Sequence, residues 1–299
     1  MQVSIMTSSF STCRDREGIS TYNECVRRLK AIGVDHIDIN LTSIDCEWNM
    51  FHADDWEQKA HALREEADKL GVTFIQSHLP YNDRRTFKPY PPEYEEHFRE
   101  MLRRGQKISE ICGVPNMVVH PLSDGDARMD DIHAHAQYNC EFHDELLTAS
   151  EKAGMYVCFE NIPLGYGQTA AQLLELMEAG KGRNMAVCWD FGHAELIYPQ
   201  RAWHNAYQSD AIRALKGYIR AVHVHDNFGK NDDHMLPFLG VVKWEEVIPA
   251  LKDAGYTGDL VFEAKFIPRM PYDLMDESAE FMKKVGNKLI ELFESGNRL

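Results

Sequence analysis

Four potential metal ligands stand at the ends of four separate apolar segments of this chain. They are Glu160 in Met155-Tyr-Val-Cys-Phe-Glu160, Asp190 in Met185-Ala-Val-Cys-Trp-Asp190, His223 in Ile219-Arg-Ala-Val-His223, and Glu263 in Leu260-Val-Phe-Glu263. Burying an ionised carboxylate is costly unless the carboxylate is paired or coordinates a cation. A shared divalent ion accounts for all four residues together. Because the set offers carboxylates and an imidazole but no thiolate, it suits Mn²⁺, Mg²⁺, Co²⁺ or Zn²⁺.

A second layer of polar residues lies close to these segments in the sequence. The candidates for second-layer groups or additional metal ligands are His78, His120, His193, His225, Asp232 and His234. His223 and His225 are two residues apart on one strand, so both face the same side. We assign the metal to His223, and His225 could equally be a core residue. His78, His120 and Lys265 are candidate substrate-binding residues, although a structural ion pair would explain Lys265 equally well.

Short β-branched segments alternate with longer amphipathic segments from one end of the chain to the other. The predicted strands are Val3–Thr7, His36–Asn40, Thr73–His78, Met117–His120, Tyr156–Glu160, Ala186–Asp190, Ala221–His225 and Leu260–Glu263. The predicted helices are Tyr22–Ala31, Trp56–Leu70, Pro92–Cys112, His133–Ala153, Ala170–Ala179, Ala206–Leu215, Trp244–Ala254 and Tyr272–Phe293. Several helices stop at a glycine such as Gly71 or Gly113, as helix C-caps favour.

Eight βα units in this order predict an α/β fold, a single (β/α)₈ TIM barrel that occupies residues 1–299 as one domain. An open doubly wound sheet is the alternative, and it is disfavoured because no G-x-G-x-x-G or P-loop opens a helix. TIM barrels place their functional residues at the carboxyl ends of the strands. The polar residues at the predicted strand ends should therefore meet at one rim of the barrel.

Composition and charge disfavour several other classes of protein. The net charge is −15, which disfavours binding to the phosphate backbone of a nucleic acid. The 7 cysteines include no C-x-x-C pair, so free thiols in a reducing compartment fit better than a disulfide framework. We find no signal-type amino terminus and no apolar run of the roughly 20 residues that a membrane span requires. These features predict a cytoplasmic protein.

Several of these segments resemble the motifs of a known superfamily in their order along the chain. They are Ser77-His-Leu-Pro80, Phe159-Glu-Asn161, Trp189-Asp-Phe-Gly-His193, His223-Val-His-Asp-Asn227, Asp232-Asp-His-Met-Leu-Pro237 and Val261-Phe-Glu263. They resemble the xylose-isomerase-like TIM barrels, which include ketose 3-epimerases, hydroxypyruvate isomerases, inosose-processing enzymes and endonuclease IV. The resemblance extends from the third strand to the eighth. It implies that Glu160, Asp190, His223 and Glu263 bind the metal.

The resemblance also implies an activity. A metal-dependent isomerase or epimerase would act on a sugar, a sugar phosphate or a related polyol or keto compound by proton transfer through a stabilised enediolate. Glu160 and Glu263 would each serve one face of the substrate, and His193 would orient a hydroxyl group. A small-molecule substrate and a possible homo-oligomer are the expected partners.

Three alternatives remain open on the sequence alone. A metal-dependent lyase or dehydratase acting on a polyol-derived substrate would use the same residues. A zinc phosphodiesterase similar to endonuclease IV would use His78, His120, His193, Asp232 and His234 as its additional ligands, but the net charge of −15 disfavours a grip on a DNA duplex. A barrel that senses a ligand without catalysis is the third alternative.

Overall fold

Eight parallel strands form one sheet in the computed structural model, which describes residues 1–10, 21–81, 92–128, 130–197, 207–265 and 274–295. The strands are β1 (Val3–Met6), β2 (His36–Asn40), β3 (Thr73–His78), β4 (Asn116–Val119), β5 (Tyr156–Glu160), β6 (Met185–Asp190), β7 (Ile219–His223) and β8 (Leu260–Phe262). Neighbours in sequence are neighbours in the sheet, and β1 also pairs with β8. Val224 closes the barrel, because its N–H donates to the Val261 carbonyl at 2.7 Å.

Helices follow the strands around the outside of this barrel. They are α1 (Tyr22–Ala31), α2 (Trp56–Leu70), α3 (Pro92–Cys112), α4 (Ile132–Phe142), α5 (Asp144–Lys152), α6 (Ala170–Ala179), α7 (Phe191–Ile197), α8 (Gln208–Ala214), α9 (Trp244–Asp253) and α10 (Met275–Ser295). The predicted (β/α)₈ barrel is confirmed. The predicted helix starts at Ala206 and Tyr272 lie outside the described residues. Within the described part of the chain, no helix has the length and apolar character that crossing a membrane requires.

The single helix predicted over His133–Ala153 is wrong, because the structure has two helices there that meet at His143. The His143 N–H still donates to the Asn139 carbonyl, and its own carbonyl accepts from Leu147 as α5 begins. No glycine or proline marks this junction, so the apolar pattern continues across it without a break.

Helix α7 was also not among the helices predicted from the sequence. It begins at Phe191, directly after β6. Asp190 Oδ1 accepts a hydrogen bond of 2.6 Å from the N–H of His193, which is the bond that a helix N-cap makes with the first turn. A helix of 7 residues is too short to give a periodic apolar signal.

The barrel interior has two chemically different halves. On the β4–β7 side it is filled by a small apolar cluster of Val118, Cys158, Ala186, Cys188 and Ala221. On the β1–β3 side the fully buried side chains include Ser4, Asp38 and Gln76. Alternation along the strands places the neighbours Ile37 and Ile39 in the outer core against the helices. The polar half of the interior lies below the residues described next.

Candidate metal centre

The four ligands predicted from the sequence come together at the carboxyl end of the barrel. Glu160, Asp190 and His223 are the last residues of β5, β6 and β7, and Glu263 directly follows β8. His223 Nδ1 lies 2.9 Å from Glu160 Oε1, 3.0 Å from Glu263 Oε2 and 3.6 Å from Asp190 Oδ2. We call these four residues the central group. Glu160 and Glu263 converge on the same nitrogen.

The central group has more negative oxygens than its single imidazole can neutralise. A ring nitrogen carries at most one proton, yet three carboxylates face His223 Nδ1. Glu263 Oε2 faces this same nitrogen but makes no hydrogen bond of good geometry among the described residues. Buried charges in proteins are paired or bind metals. Because the candidate ligand atoms lie within 4.8 Å of one another, the donor set fits a divalent cation bound between them.

The electrostatics of the central group follow from burial and proximity. Burial raises the pKa of Glu160, but the positive charge of His223 and hydrogen bonds that include one from His120 hold that pKa well below its usual value. Burial lowers the pKa of His223, but the neighbouring Cys188 and the carboxylates of Glu160 and Glu263 raise it well above its usual value. The metal-free group thus holds protons on nitrogen and keeps its carboxylates ionised.

Two further histidines, His78 and His120, contact the other carboxylate oxygen of Glu160, and we call them the outer pair. His78 Nε2 and His120 Nε2 each lie 3.1 Å from Glu160 Oε2. The His78 ring is stacked on the His223 ring, with centroids 5.4 Å apart. The ring of Tyr81 stacks on His120 at 4.5 Å. Glu160 therefore joins the outer pair to the central group through its two oxygens.

A third arrangement, the loop group, consists of His193, His225, Asp232 and His234. Asp232 Oδ2 lies 3.0 Å from His234 Nε2 and 3.3 Å from His193 Nε2. His225 Nε2 lies 2.9 Å from Asp190 Oδ2, so this histidine connects the loop group to the central group. His225 is also fully buried, so its role as an additional ligand stays a prediction.

Three histidines of these groups are oriented in the same way. Nδ1 lies 2.9 Å from a backbone carbonyl oxygen in each: that of Leu79 for His78, of Asn161 for His193, and of Glu263 for His234. Each Nδ1 therefore donates its hydrogen to the backbone, and Nε2 faces a carboxylate. This is how metal-binding histidines are usually held, because the outer hydrogen bond fixes the tautomer and the ring.

The loop after β7 is held in place by one buried carboxylate. Asp226 accepts hydrogen bonds from the backbone N–H groups of Phe238 and Val242 and from the indole N–H of Trp244, at 3.0–3.1 Å. A Cβ on Gly240 would lie 2.2 Å from Asp226 Oδ1, so only glycine fits there. His234 adopts a positive φ of 50° in this loop. The fixed loop carries Asp232 and His234 to the rim.

Lys265 is the last of the predicted residues, and two further residues near the site, Asp38 and Gly192, were not predicted. The Lys265 side chain is exposed, and its backbone N–H donates to the His234 carbonyl at 2.8 Å. Asp38 is fully buried and was not predicted, although a carboxylate between Ile37 and Ile39 in β2 was a signal. Gly192 was not singled out either. A Cβ there would lie 2.1 Å from the His225 ring.

Comparison with known proteins agrees with this fold. The family described as xylose isomerase-like TIM barrel matches residues 26–285, so the chain belongs to that family.

The relatives and similar structures are distant. The chain is 26% identical over 181 residues to an uncharacterized protein, y4fM, of Sinorhizobium fredii. The aligned region covers 55% of this chain and 51% of that protein. It therefore spans about half the length of this curated relative. A structure of L-ribulose 3-epimerase has a TM-score of 0.71 at 17% identity and covers 99% of this chain and 96% of its own. A structure of IolI protein with a binding zinc atom has a TM-score of 0.72 at 15% identity and covers 100% of both chains.

Proposed function

We propose that this protein is a divalent-metal-dependent isomerase or epimerase that acts on a sugar, a sugar phosphate or a related polyol or keto compound. The main support is the convergence of Glu160, Asp190 and Glu263 on His223 at the rim of the barrel. L-ribulose 3-epimerase, a protein of similar fold, converts a sugar, and IolI, another, binds zinc. The fold is compatible with such an activity in this chain.

The central group would hold the metal, as Mn²⁺, Mg²⁺, Co²⁺ or Zn²⁺. A bound divalent ion supplies positive charge that stabilises an enediolate as it develops on neighbouring substrate oxygens. The chain's own residues would then bind and orient the substrate and move one proton on the carbon next to the carbonyl.

Glu263 and Glu160 are the proposed proton-transfer groups. The Glu263 side chain is 13% exposed, whereas that of Glu160 is fully buried, so Glu263 is the more accessible to a substrate at the rim. Glu160 lies deeper and contacts His78 and His120. His193, which is held by the Asn161 carbonyl, would orient a substrate hydroxyl with Nε2. His78, His120 and Lys265 are the proposed substrate-binding residues.

Proton exchange with solvent tests this proposal. The metal-loaded protein is incubated in D₂O with ketoses, sugar phosphates and keto acids, and deuterium next to the carbonyl is measured by NMR. Glu263→Gln should lower the exchange rate by about 10²- to 10⁴-fold, the usual contribution of a general acid–base group. Glu178→Gln, at an exposed position on α6, is the matched control and should leave the rate unchanged. Absence of exchange with every substrate class contradicts the proposal.

Product analysis in the same experiment separates two reaction types. An isomerase or epimerase returns a product of the same composition as its substrate. A lyase or dehydratase, which would use the same residues, releases a smaller fragment or water.

A metal-dependent phosphodiesterase is the second candidate, and the outer pair and the loop group favour it. Glu160 presents separate oxygens to His78 and to His223, and carboxylates that bridge neighbouring metals are typical of hydrolytic sites with several ions. About three zinc ions per chain, together with hydrolysis of bis(4-nitrophenyl) phosphate, would support this candidate. One bound ion and no hydrolysis would exclude it.

A further inference from the structure

The polar half of the barrel interior contains a set of buried groups that the proposed function leaves unused. Ser4 on β1, Asp38 on β2 and Gln76 on β3 are at most 1% exposed. The Ser4 hydroxyl, both Asp38 carboxylate oxygens and the Gln76 amide nitrogen make no hydrogen bond of good geometry among the residues that the structure describes. Gln76 is nevertheless close enough to Asp38 to lower the pKa of that carboxyl. Unsatisfied buried polar groups are rare in folded proteins, and each calls for a physical reason.

Asp38 lies directly beneath the central group. The register between β2 and β3 shifts after Ile37, which places Asp38 opposite Gln76 and Asn40 opposite His78. The ring of His78 is in turn stacked on that of His223. Burial raises the pKa of Asp38 to about 6, and the positive charges of His223 and His78 are the main effects that oppose this rise.

His223 has a complementary unpaired atom. Its Nδ1 faces the three carboxylates of the central group, whereas its Nε2 is buried without a hydrogen-bond partner among the described residues. When a histidine binds a metal through Nδ1, Nε2 carries the proton and normally donates it to a carboxylate, a carbonyl or a water. Among the described residues of the barrel interior, Asp38 supplies a fully buried carboxylate, and it is close enough to His223 for the charge of that histidine to lower its pKa.

We propose that Asp38 is a positioning residue that accepts the Nε2 proton of His223 through an internal water and so fixes the ring for metal binding. An internal water requires two to four polar partners. Asp38 and His223 would be two of these partners, and the Ser4 hydroxyl and the Gln76 amide would be the other two. The inference rests on the metal-binding part of the proposed function but not on its sugar chemistry.

The test measures metal binding and fold stability separately. Asp38→Asn and Asp38→Leu are purified without metal, and their affinity for Zn²⁺ is measured by competition with a chromophoric chelator. Both variants should bind Zn²⁺ about 10- to 100-fold more weakly than the unaltered protein, as loss of an outer partner of a ligand usually does. The visible absorption spectrum of bound Co²⁺ should also change, because the His223 ring is no longer fixed.

Thermal unfolding of the metal-free variants distinguishes positioning from a merely structural role. Burying a carboxylate costs the fold free energy even where a water bonds to it, so both metal-free variants should unfold at the same temperature as the unaltered protein or higher. Glu195→Gln is the matched control, because burial also raises the pKa of Glu195, to about 7, and this residue is outside the metal groups. It should leave the Zn²⁺ affinity and the Co²⁺ spectrum unchanged.

Three other results would overturn the inference, and each identifies the part of it that is wrong. If the unaltered protein binds neither Zn²⁺ nor Co²⁺, both the inference and the proposed function fail. If it binds both ions and the two Asp38 variants bind them equally well, only the role of Asp38 fails. A lower unfolding temperature with unchanged affinity per folded molecule assigns Asp38 to the fold instead.

Discussion

Glu160 Oε1 lies 2.9 Å from His223 Nδ1, although the two residues are 63 positions apart in the chain. This contact joins the ends of β5 and β7, between which β6 lies in the sheet. The second oxygen of Glu160 faces the outer pair. A single side chain therefore takes part in two of the three groups of potential ligands.

Replacing Glu160 should weaken two metal-binding groups at once. Glu160→Ala removes one oxygen from the central group and the other from the outer pair. We expect the affinity for Zn²⁺ to fall by at least about 100-fold, the upper end of what loss of an outer partner costs. Elemental analysis of the dialysed protein should show less bound metal than for Glu263→Gln, which alters the central group alone. Equal metal content in the two variants would contradict the bridging role.

Metal affinity should increase with pH. The pKa values of His193 and His223 in the metal-free protein are raised well above the usual value, against the effect of burial, by nearby carboxylates. A metal binds only the neutral nitrogen, so protons compete with it below these raised pKa values. Calorimetry in buffers of different ionisation enthalpy should detect proton release on Zn²⁺ binding. Binding that releases no protons between about pH 6 and pH 8, the range in which histidine usually titrates, would contradict this account.

The stability of the metal-free protein should change with pH in the opposite sense. The raised pKa of His223 gives stabilisation that is complete below the unfolded value of about 6.5 and is lost as the pH rises through the folded value. The lowered pKa of Glu160 gives stabilisation that is lost only in acid, as the pH falls. The increase in unfolding temperature on adding Zn²⁺ should therefore be larger at alkaline pH than near pH 6, as thermal denaturation can measure.

Substitution of Gly192 should displace His225. In Gly192→Ala the new Cβ would lie 2.1 Å from the His225 ring, so the ring must move away from Asp190 and the loop group. We expect weaker metal binding and a free energy of unfolding lowered by about 1–3 kcal/mol, as for overpacking elsewhere.

A double substitution provides the control for this effect. His225→Ala removes the ring that the Cβ would meet, so Gly192→Ala should cost much less stability in the His225→Ala background than alone. Additive effects of the two substitutions, measured by chemical denaturation, would show that the ring is not the cause.

Loss of the Asp226 carboxylate should release the loop after β7. Asp226→Ala leaves the Val242 N–H and the Trp244 indole without their acceptor, and we expect a loss of about 2–4 kcal/mol in the free energy of unfolding. Hydrogen exchange should increase throughout the loop, and metal bound by Asp232 and His234 should be lost. Asp233→Asn, an exposed position in the same loop, should change stability by no more than about 0.5 kcal/mol.

Much of the site could be predicted because it lies at strand ends. The apolar segments fix where β5 and β6 run, and a charged residue at the end of each, Glu160 or Asp190, must then emerge at the same rim. Outward and inward alternation likewise separates Ile37 and Ile39 from Asp38. Local patterns of this kind depend only on residues near one another in the chain.

Contacts between distant segments could not be predicted in the same way. The sequence gives no signal that Glu160 contacts two sets of histidines, that Asp190 caps α7 with one oxygen and reaches His225 with the other, or that His143 divides a helical pattern.

The sequence by itself determined the barrel, its rim and the residue types that face one another there. Hydrophobic periodicity depends only on residues close together in the chain, and the order of the strands follows from it. The tertiary structure alone decided how these residues are grouped, which nitrogen of each histidine faces a carboxylate, and that the Asp38 carboxylate is buried inside the barrel without a hydrogen bond of good geometry among the described residues. Those features depend on barrel closure and on side-chain orientation across strands. The chain brings such atoms within a few ångströms only when the whole sheet has formed.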